Sequence, residues 1–283
     1  MAGHGAPDVR EVTDVQDVPD TPARSEAKTH VVLDDIGAAD PTAARLLALS
    51  DDIAHHLRHV LRLRDGDAVT ATDGRGGWRT ATWRAASGML EATLPLVSVV
   101  CLAMSVAVAF ALTKGDKPEL VVQKLTELGV DRIVPFVADR SIVAWDVAKA
   151  ERNVVRWRAV AREALRQSRQ VWEPEVTAVM SFADLCETTV AGDGRVDGRV
   201  DGRVDGRAND RVVVRADLGG PPPDPGRHRL VLIGPEGGWS AGEQQRLPAS
   251  VSLGSCVLRA ETAAIAAATL LVGIRAGLVN AVR

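Results

Sequence analysis

Apolar and polar residues change rhythm twice along this chain of 283 residues. Up to residue 27 there is no apolar period, and Pro7, Pro19 and Pro22 interrupt the backbone, so residues 1–27 read as a disordered acidic tail. From Thr29 short apolar runs begin, separated by turn residues. His30-Val31-Val32-Leu33 predicts a strand, Asp51 to Leu63 a helical segment, and Ala68 to Thr72 and Trp78 to Arg84 two more strands about the turn Asp73-Gly74-Arg75-Gly76-Gly77. Residues 28–98 therefore predict a small β-rich domain.

Beyond residue 104 the rhythm becomes strand, helix, strand, helix, which predicts an α/β domain with a parallel sheet over 104–283. Val106 to Leu112 is a continuous apolar run, as a strand covered on both faces requires. Asp116 with Glu119 resembles a capping box, Val121, Leu125 and Leu128 follow at helical spacing, and Gly129 is placed to end that helix. Ile133 to Val137 predicts the next strand and residues 149–169 a long basic helix. Its Lys149, Arg152, Arg156, Arg158, Arg162, Arg166 and Arg169 face either phosphates or solvent. Val212 to Val214 and Leu230 to Ile233 continue the sheet, with Pro221-Pro222-Pro223 as a connector, and an Ala-rich helix from about Thr262 closes the chain. That helix is apolar on nearly every side and calls for burial, for instance against a second subunit. Between these elements Asp-Gly-Arg recurs four times within residues 193–207. So polar a repeat buries no core, and residues 192–210 read as a disordered loop.

Composition changes this picture little. At 46% apolar and 25% charged residues the chain has enough apolar surface for two modest domains. The formal net charge of −3 argues against a nucleic-acid partner until it is located. Asp8, Glu11, Asp14, Asp17, Asp20 and Glu26 against Arg10 and Arg24 put −4 in the tail, leaving +1 for the rest. Cys101, Cys186 and Cys256 are scattered and form neither a disulfide framework nor a metal motif, which suits a reducing cytoplasm. No basic segment followed by an apolar run opens the chain, so no secretory signal is expected. Leu94 to Leu112 carries no charge, but Pro95 and the many valines favour successive buried strands over a membrane span.

The candidate chemistry lies near the carboxyl end. In Leu230-Val231-Leu232-Ile233-Gly234-Pro235-Glu236-Gly237-Gly238-Trp239-Ser240 an apolar strand runs into a glycine-rich turn, and Ser240 with Glu243 gives a capping box for the next helix. Glycines at such a junction let a ligand approach backbone N–H and C=O groups at the carboxyl edge of a sheet. The Lys-Ser/Thr ending of a phosphate loop is missing, and Glu236 suits a ligand with positive charge, such as a sulfonium.

The next segment, Leu253-Gly254-Ser255-Cys256-Val257-Leu258-Arg259-Ala260-Glu261-Thr262-Ala263, completes a family pattern. Taken with Lys114-Gly115-Asp116-Lys117, Gln123-Lys124, Glu127-Leu128-Gly129-Val130, Arg140-Ser141, Gln167-Ser168 and His55-His56-Leu57-Arg58-His59-Val60-Leu61-Arg62, it resembles the RsmE family of 16S rRNA uridine N-3 methyltransferases. The resemblance spans roughly residues 28–283. It implies a SPOUT-type knotted parallel sheet with flanking helices, a homodimer, and a PUA-like RNA-holding domain over 28–98. It also implies S-adenosyl-L-methionine (SAM) held by Ile233, Gly234, Pro235, Glu236, Gly237 and Gly238 together with Leu253, Gly254, Val257, Leu258, Thr262 and Ala263. Two departures stand out. Ser255-Cys256 replaces the family's usual Pro-Arg, and Arg166-Gln167-Ser168-Arg169-Gln170 departs from its usual Glu-Gln-Ser-Gly-Arg, which unsettles any role carried to Gln170.

Uridine N-3 carries a proton and turns nucleophilic only when that proton is shared or lost, with the methyl donor held in line. Arg259 is placed to stabilise charge on the uracil oxygens, while Glu236 or Glu261 takes the proton or instead holds loop N–H groups. Arg58, Arg62, Lys114, Lys117, Lys124, Arg140 and Arg169 are the cations expected to face 16S rRNA in the small ribosomal subunit. The displacement needs no metal. His55, His56 and His59 have helical spacing, but nothing nearby completes a zinc site, and surface packing or RNA contact accounts for them. Trp157 and Trp172 are expected in the core or an interface. Two alternatives stay open at this point: methylation of another RNA position such as a ribose 2′-hydroxyl, and a ribosome-assembly protein that binds RNA without turnover.

Overall fold

The computed structural model describes residues 11–12, 26–37, 46–102, 104–143, 145–190 and 212–280. The Asp-Gly-Arg repeats and nearly all of the acidic tail lie outside the described residues. The chain forms two compact units: residues up to Leu102 with Arg162–Glu173, and Ala103–Ala161 with Pro174–Arg283.

The first unit is a sheet of short strands: β1 (Glu11–Val12), β2 (Thr29–Val32), β3 (Leu46–Leu47), β4 (Ala68–Thr72), β5 (Gly77–Arg84), β6 (Met89–Ala92) and β7 (Val97–Val99). The order is β1-β7-β5-β4-β2, with β6 also on β5 and β3 on β6. Thr72 faces Trp78 in the β4–β5 hairpin, so the Asp73–Gly77 turn works as its sequence predicts. Within the stretch expected to be wholly disordered, Glu11–Val12 instead pairs in parallel with Ser98–Val99. The helix expected over Asp51–Leu63 is shorter. Ser50 Oγ caps α1 (Asp51–His55) by accepting from Ile53 N, and a wider π-helical turn, His56–Val60, follows. With Leu57 its one buried side chain, the segment lacks the apolar stripe that holds longer helices in place.

His30 on β2 is 2% exposed, with Nδ1 2.8 Å from Thr70 Oγ1 and Nε2 3.3 Å from the Gln170 carbonyl. A neutral ring satisfies both, donating from Nε2 and accepting at Nδ1. Burial, opposed by the Gln170 bond and reinforced by Arg169 and Arg166, lowers its pKa from 6.5 to about 4. Between those values the unfolded chain takes up a proton that the native site refuses, so stability is complete above pH 6.5 and falls as pH drops. The loss amounts to roughly 2–3 kcal/mol by pH 4.5. Urea titrations at pH 7.5 and 4.5 are expected to show His30→Gln losing that much less than the wild type across the same interval; equal losses would remove His30 as the cause.

The second unit alternates β8 (Ala107–Ala111), α2 (Lys117–Leu128), β9 (Arg132–Val137), α3 (Val147–Ser168), β10 (Glu175–Val176), β11 (Met180–Ser181), α4 (Phe182–Val190), β12 (Val212–Ala216), β13 (His228–Ile233), α5 (Ala241–Arg246), β14 (Ser250–Val251) and α6 (Ala260–Arg275). The end of α3, from Arg162, belongs to the first unit. Every pairing is parallel in the order β10-β9-β8-β13-β12-β14, with β11 also beside β9. The outer partner of β9 is split into β10 and β11 around Pro135, which has no N–H to offer. Central β8 explains its unbroken apolar run: Val106, Val108, Phe110 and Leu112 face a core with Trp157 and α6, while Ala107, Ala109 and Ala111 face Phe136, Phe182 and Trp239. Trp157 is 1% exposed, as a core aromatic should be.

Leu94 to Leu112 thus contributes β7 and β8, although β7 is only half-buried. Among the described residues no helix is long and apolar enough to cross a membrane. Three further expectations change. Asp116 makes no side-chain cap bond at α2, so the Asp116–Glu119 box does not form and Pro118 opens the helix instead. The basic face of α3 is largely spent within the protein: Arg156 pairs with Glu119 at 2.9 Å, Arg158 donates to the Val176 carbonyl at 3.0 Å, and Arg162 and Arg166 pair with Asp34 and Glu163. The final helix starts at Ala260 rather than Thr262, and Ala260, Ala263, Ala264, Ala267, Ala268 and Leu271 are buried by its own chain, with α2 as a neighbour.

Candidate functional site

Ile233, the last residue of β13, pairs with Phe110 of β8, so the Gly234–Gly238 turn leaves the sheet at its carboxyl edge beside the end of β8. Trp239 then folds back into the core. It is 6% exposed, its ring lies parallel to Phe136 with centroids 6.2 Å apart, and its Nε1–H donates to the Ala216 carbonyl at 2.9 Å. A Cβ on Gly234 would lie 2.9 Å from Trp239 Cε2, so only glycine fits there. Gly238, at φ +70°, closes the turn by donating to the Pro235 carbonyl.

The predicted box at the start of α5 is present and does more than cap. Glu243 is 2% exposed, and its carboxylate accepts from Ser240 N at 2.8 Å and from Asp139 N at 2.9 Å. Ser240 Oγ also bonds Asp139 Oδ2, and Arg140 Nη1 donates to the Gly237 carbonyl at 3.0 Å. The loop after β9 is therefore stitched to the glycine turn. Sequence reasoning saw the box but missed Asp139 as its second client, since nothing in local spacing marks it.

The second bend follows β14, which is separated from β13 by β12 alone. Leu253 is half-buried against the main core and Gly254 has φ +136°. Ser255, Cys256 and Val257 are exposed, Leu258 is half-buried, Thr262 is exposed and Ala263 buried. Arg259 occupies the N-cap position of α6 in extended conformation and is exposed; among the described residues its side chain makes no hydrogen bond or ion pair.

Lys117 joins the two bends. Its Nζ lies 2.9 Å from Glu236 Oε1 in the first and 3.6 Å from Glu261 Oε2 at the start of α6. That Glu261 oxygen is buried and has no hydrogen-bond partner among the described residues. The hydrogen bond with Glu236 raises the Lys117 pKa and lowers that of the Glu236 carboxyl, so both stay charged at neutral pH.

The cations expected to face RNA are dispersed. In the second unit Lys117 serves the bends, Arg140 serves Gly237, Lys124 pairs with Glu127 at 2.8 Å, and Lys114 is exposed without a partner among the described residues. In the first unit Arg58 donates to the Ala85 carbonyl at 2.8 Å and lies over the Trp83 ring, Arg62 is exposed at φ 51°, and Arg169, at φ 55°, donates to the Ala27 carbonyl. The His55 and His59 rings lie 4.6 Å apart. No group of three or more metal-ligating side chains occurs among the described residues.

The family described as an RNA methyltransferase domain matches residues 101–272, and an RNA methyltransferase PUA domain matches residues 49–85. The chain is 31% identical to Ribosomal RNA small subunit methyltransferase E of Mycobacterium tuberculosis, over 80% of this chain and 86% of that one. The Synechocystis protein of the same name is 32% identical over 74% of this chain and 67% of its own. Among solved structures, Ribosomal RNA small subunit methyltransferase E from Neisseria gonorrhoeae bound to S-adenosyl methionine superposes with a TM-score of 0.66 at 23% identity, covering 85% of this chain and 95% of that one. A probable rRNA-methyltransferase from Porphyromonas gingivalis gives 0.64 at 25% identity, covering 89% and 100%.

Proposed function

Because the chain belongs to the ribosomal RNA small subunit methyltransferase E family, we propose that it methylates N-3 of one uridine in 16S rRNA of the small ribosomal subunit, with SAM as donor and as a cytoplasmic homodimer. The observation that carries this reading is the linkage of the two glycine-bearing bends through Lys117 at one carboxyl edge of the sheet. The residues fit the cofactor. No atom lies within 4 Å of a Cβ built on Gly238 or Gly254, leaving the backbone accessible, and the buried Glu261 Oε2 lacks a hydrogen-bond partner that a bound molecule would supply. When bound, SAM supplies a methyl group activated by its positively charged sulfur.

Ile233 to Gly238 and Leu253 to Ala263 hold the donor mainly through backbone groups, as befits bends rich in glycine. The unengaged Arg259 guanidinium stands ready for the uracil oxygens as N-3 gives up its proton. Glu236, kept ionised by Lys117, is a weakened base and serves to fix the turn. Glu261, which faces the same Lys117 ammonium at 3.6 Å, is the second candidate proton acceptor. Arg58 and Arg62 on the PUA-like unit, with Lys114 on the methyltransferase unit, are the RNA-facing cations. Half-buried Ile265, Leu270 and Ile274 on α6 offer apolar surface to a second copy.

Methylation at N-3 blocks Watson–Crick pairing. Purified protein, SAM and unmethylated small subunits, followed by reverse transcription, are expected to give one new stop that requires SAM. No stop, or one formed without SAM, rejects the reading; a ribose 2′-O product would show as alkali resistance instead.

A further inference from the structure

The residues discussed so far leave an open cleft of about 390 Å³ without a role, apart from Lys114 on its rim. Its walls come from the loop after β8 (Thr113, Lys114, Gly115), the loop after β9 (Ile142, Val143, Trp145) and the first turns of α3 (Lys149, Asn153). A volume in the range of roughly 300–1,000 Å³ is that of small-molecule sites.

Its chemistry is uneven in a way that selects a ligand. Lys114 and Lys149 bring two ammonium groups to one opening, and both are exposed. Lys149 Nζ is held over the Trp145 ring at 5.5 Å from its centroid, while the ring itself is fixed against Trp157, centroids 5.7 Å apart. Asp146, just before α3, accepts from the Lys149 backbone N–H at 2.7 Å. Ile142 presents an apolar side chain that is 67% exposed. Thr113 is 5% exposed, lines the cleft, and among the described residues its hydroxyl makes no hydrogen bond. A flexible anion with a flat, partly apolar body and carbonyl edges satisfies all of these at once, and a pyrimidine nucleotide has that constitution.

The location agrees. Thr113 lies two residues beyond the end of β8, which pairs with β13, and Lys117, three residues beyond Lys114, is bonded to Glu236 of the glycine turn. Resting on the proposed methyltransferase function, we infer that this cleft receives the target nucleotide of the RNA. Lys114 and Lys149 take its phosphate, Ile142 lies against the base, and Thr113 Oγ1 donates to a uracil carbonyl. Lys149 and Thr113 are thereby substrate-positioning residues for the transfer, and Trp145 holds Lys149 in place.

Steady-state methylation of small subunits and calorimetric SAM titration, each on wild type, Lys149→Glu, Lys149→Arg and Thr113→Val, test this. For Lys149→Glu, KM for the subunit is expected to rise at least about tenfold with SAM affinity unchanged, and Lys149→Arg to restore most of it, since charge is what a phosphate reads. Thr113→Val is expected to lower kcat/KM about tenfold, again with SAM affinity intact. Uridine 5′-monophosphate is expected to compete with subunits on the wild type and not on Lys149→Glu. An unaltered subunit KM in Lys149→Glu overturns the assignment, and so does a parallel loss of SAM affinity, which would make the cleft part of the donor site. A wild type that binds SAM but methylates no uridine fails the proposed function itself, and the cleft assignment with it.

Discussion

Glu243→Ala is expected to lose about 4 kcal/mol of stability. The carboxylate is buried and accepts from two backbone N–H groups, Ser240 and Asp139, on different loops. Removing it takes away two bonds to a charged acceptor, worth roughly 1.5–3 kcal/mol each, and with them the reciprocal half of the α5 capping box, while Ser240 Oγ still caps the helix. Glu243→Gln keeps one acceptor oxygen and should lose about half as much. Because Asp139 and Ser240 also fix the Gly234–Gly238 turn, SAM affinity is expected to fall with stability, about tenfold in Glu243→Ala. Urea midpoints and calorimetric titration read the two effects. A midpoint within error of the wild type would mean that the two loops are held by something other than this side chain.

Arg259→Ala is expected to behave in the opposite way, leaving the fold intact and stopping the chemistry. Its side chain is exposed and engages no other group among the described residues, so stability should move by less than about 0.5 kcal/mol. A donor aimed at charge that develops in the transition state is worth roughly 10²–10³ in kcat. Arg259→Lys should recover part of that, since it keeps the charge without the planar fork. The diagnostic is the split: kcat down with KM for the subunit and SAM affinity nearly unchanged. A rise in KM alone would make Arg259 an RNA-holding cation and return the stabilising role to another group.

These two residues also differ in how legible they were. Arg259 stands inside a motif whose order along the chain is specific, and its position at the head of an Ala-rich helix followed from the same stretch. For Glu243 the chain shows only a capping box with Ser240; the bond to Asp139, about a hundred residues away, joins two loops that meet because β9 and β13 both flank β8. Lys117 shows the same limit more sharply. From the sequence it is one more lysine for RNA, whereas folding sets it between Glu236 and Glu261, where its charge is spent. The Asp116–Glu119 spacing imitates a capping box, yet the backbone at Asp116 is already helical, at φ −91° and ψ 0°, so its side chain makes no cap bond.

By itself the sequence determined the main strands and helices, the double-sided burial of β8, the glycine turn after β13 and the family pattern that names the chemistry. All of these depend on neighbours a few residues apart: side-chain period, missing Cβ atoms, turn propensity. Tertiary structure alone decided which charged groups are consumed by one another, why Gly234 must lie under Trp239, and that Thr113, Lys114 and Lys149 share an opening. Charge pairing and cleft formation depend on distances of a few ångströms between segments far apart in the chain, and sheet order, which local sequence does not encode, sets those distances.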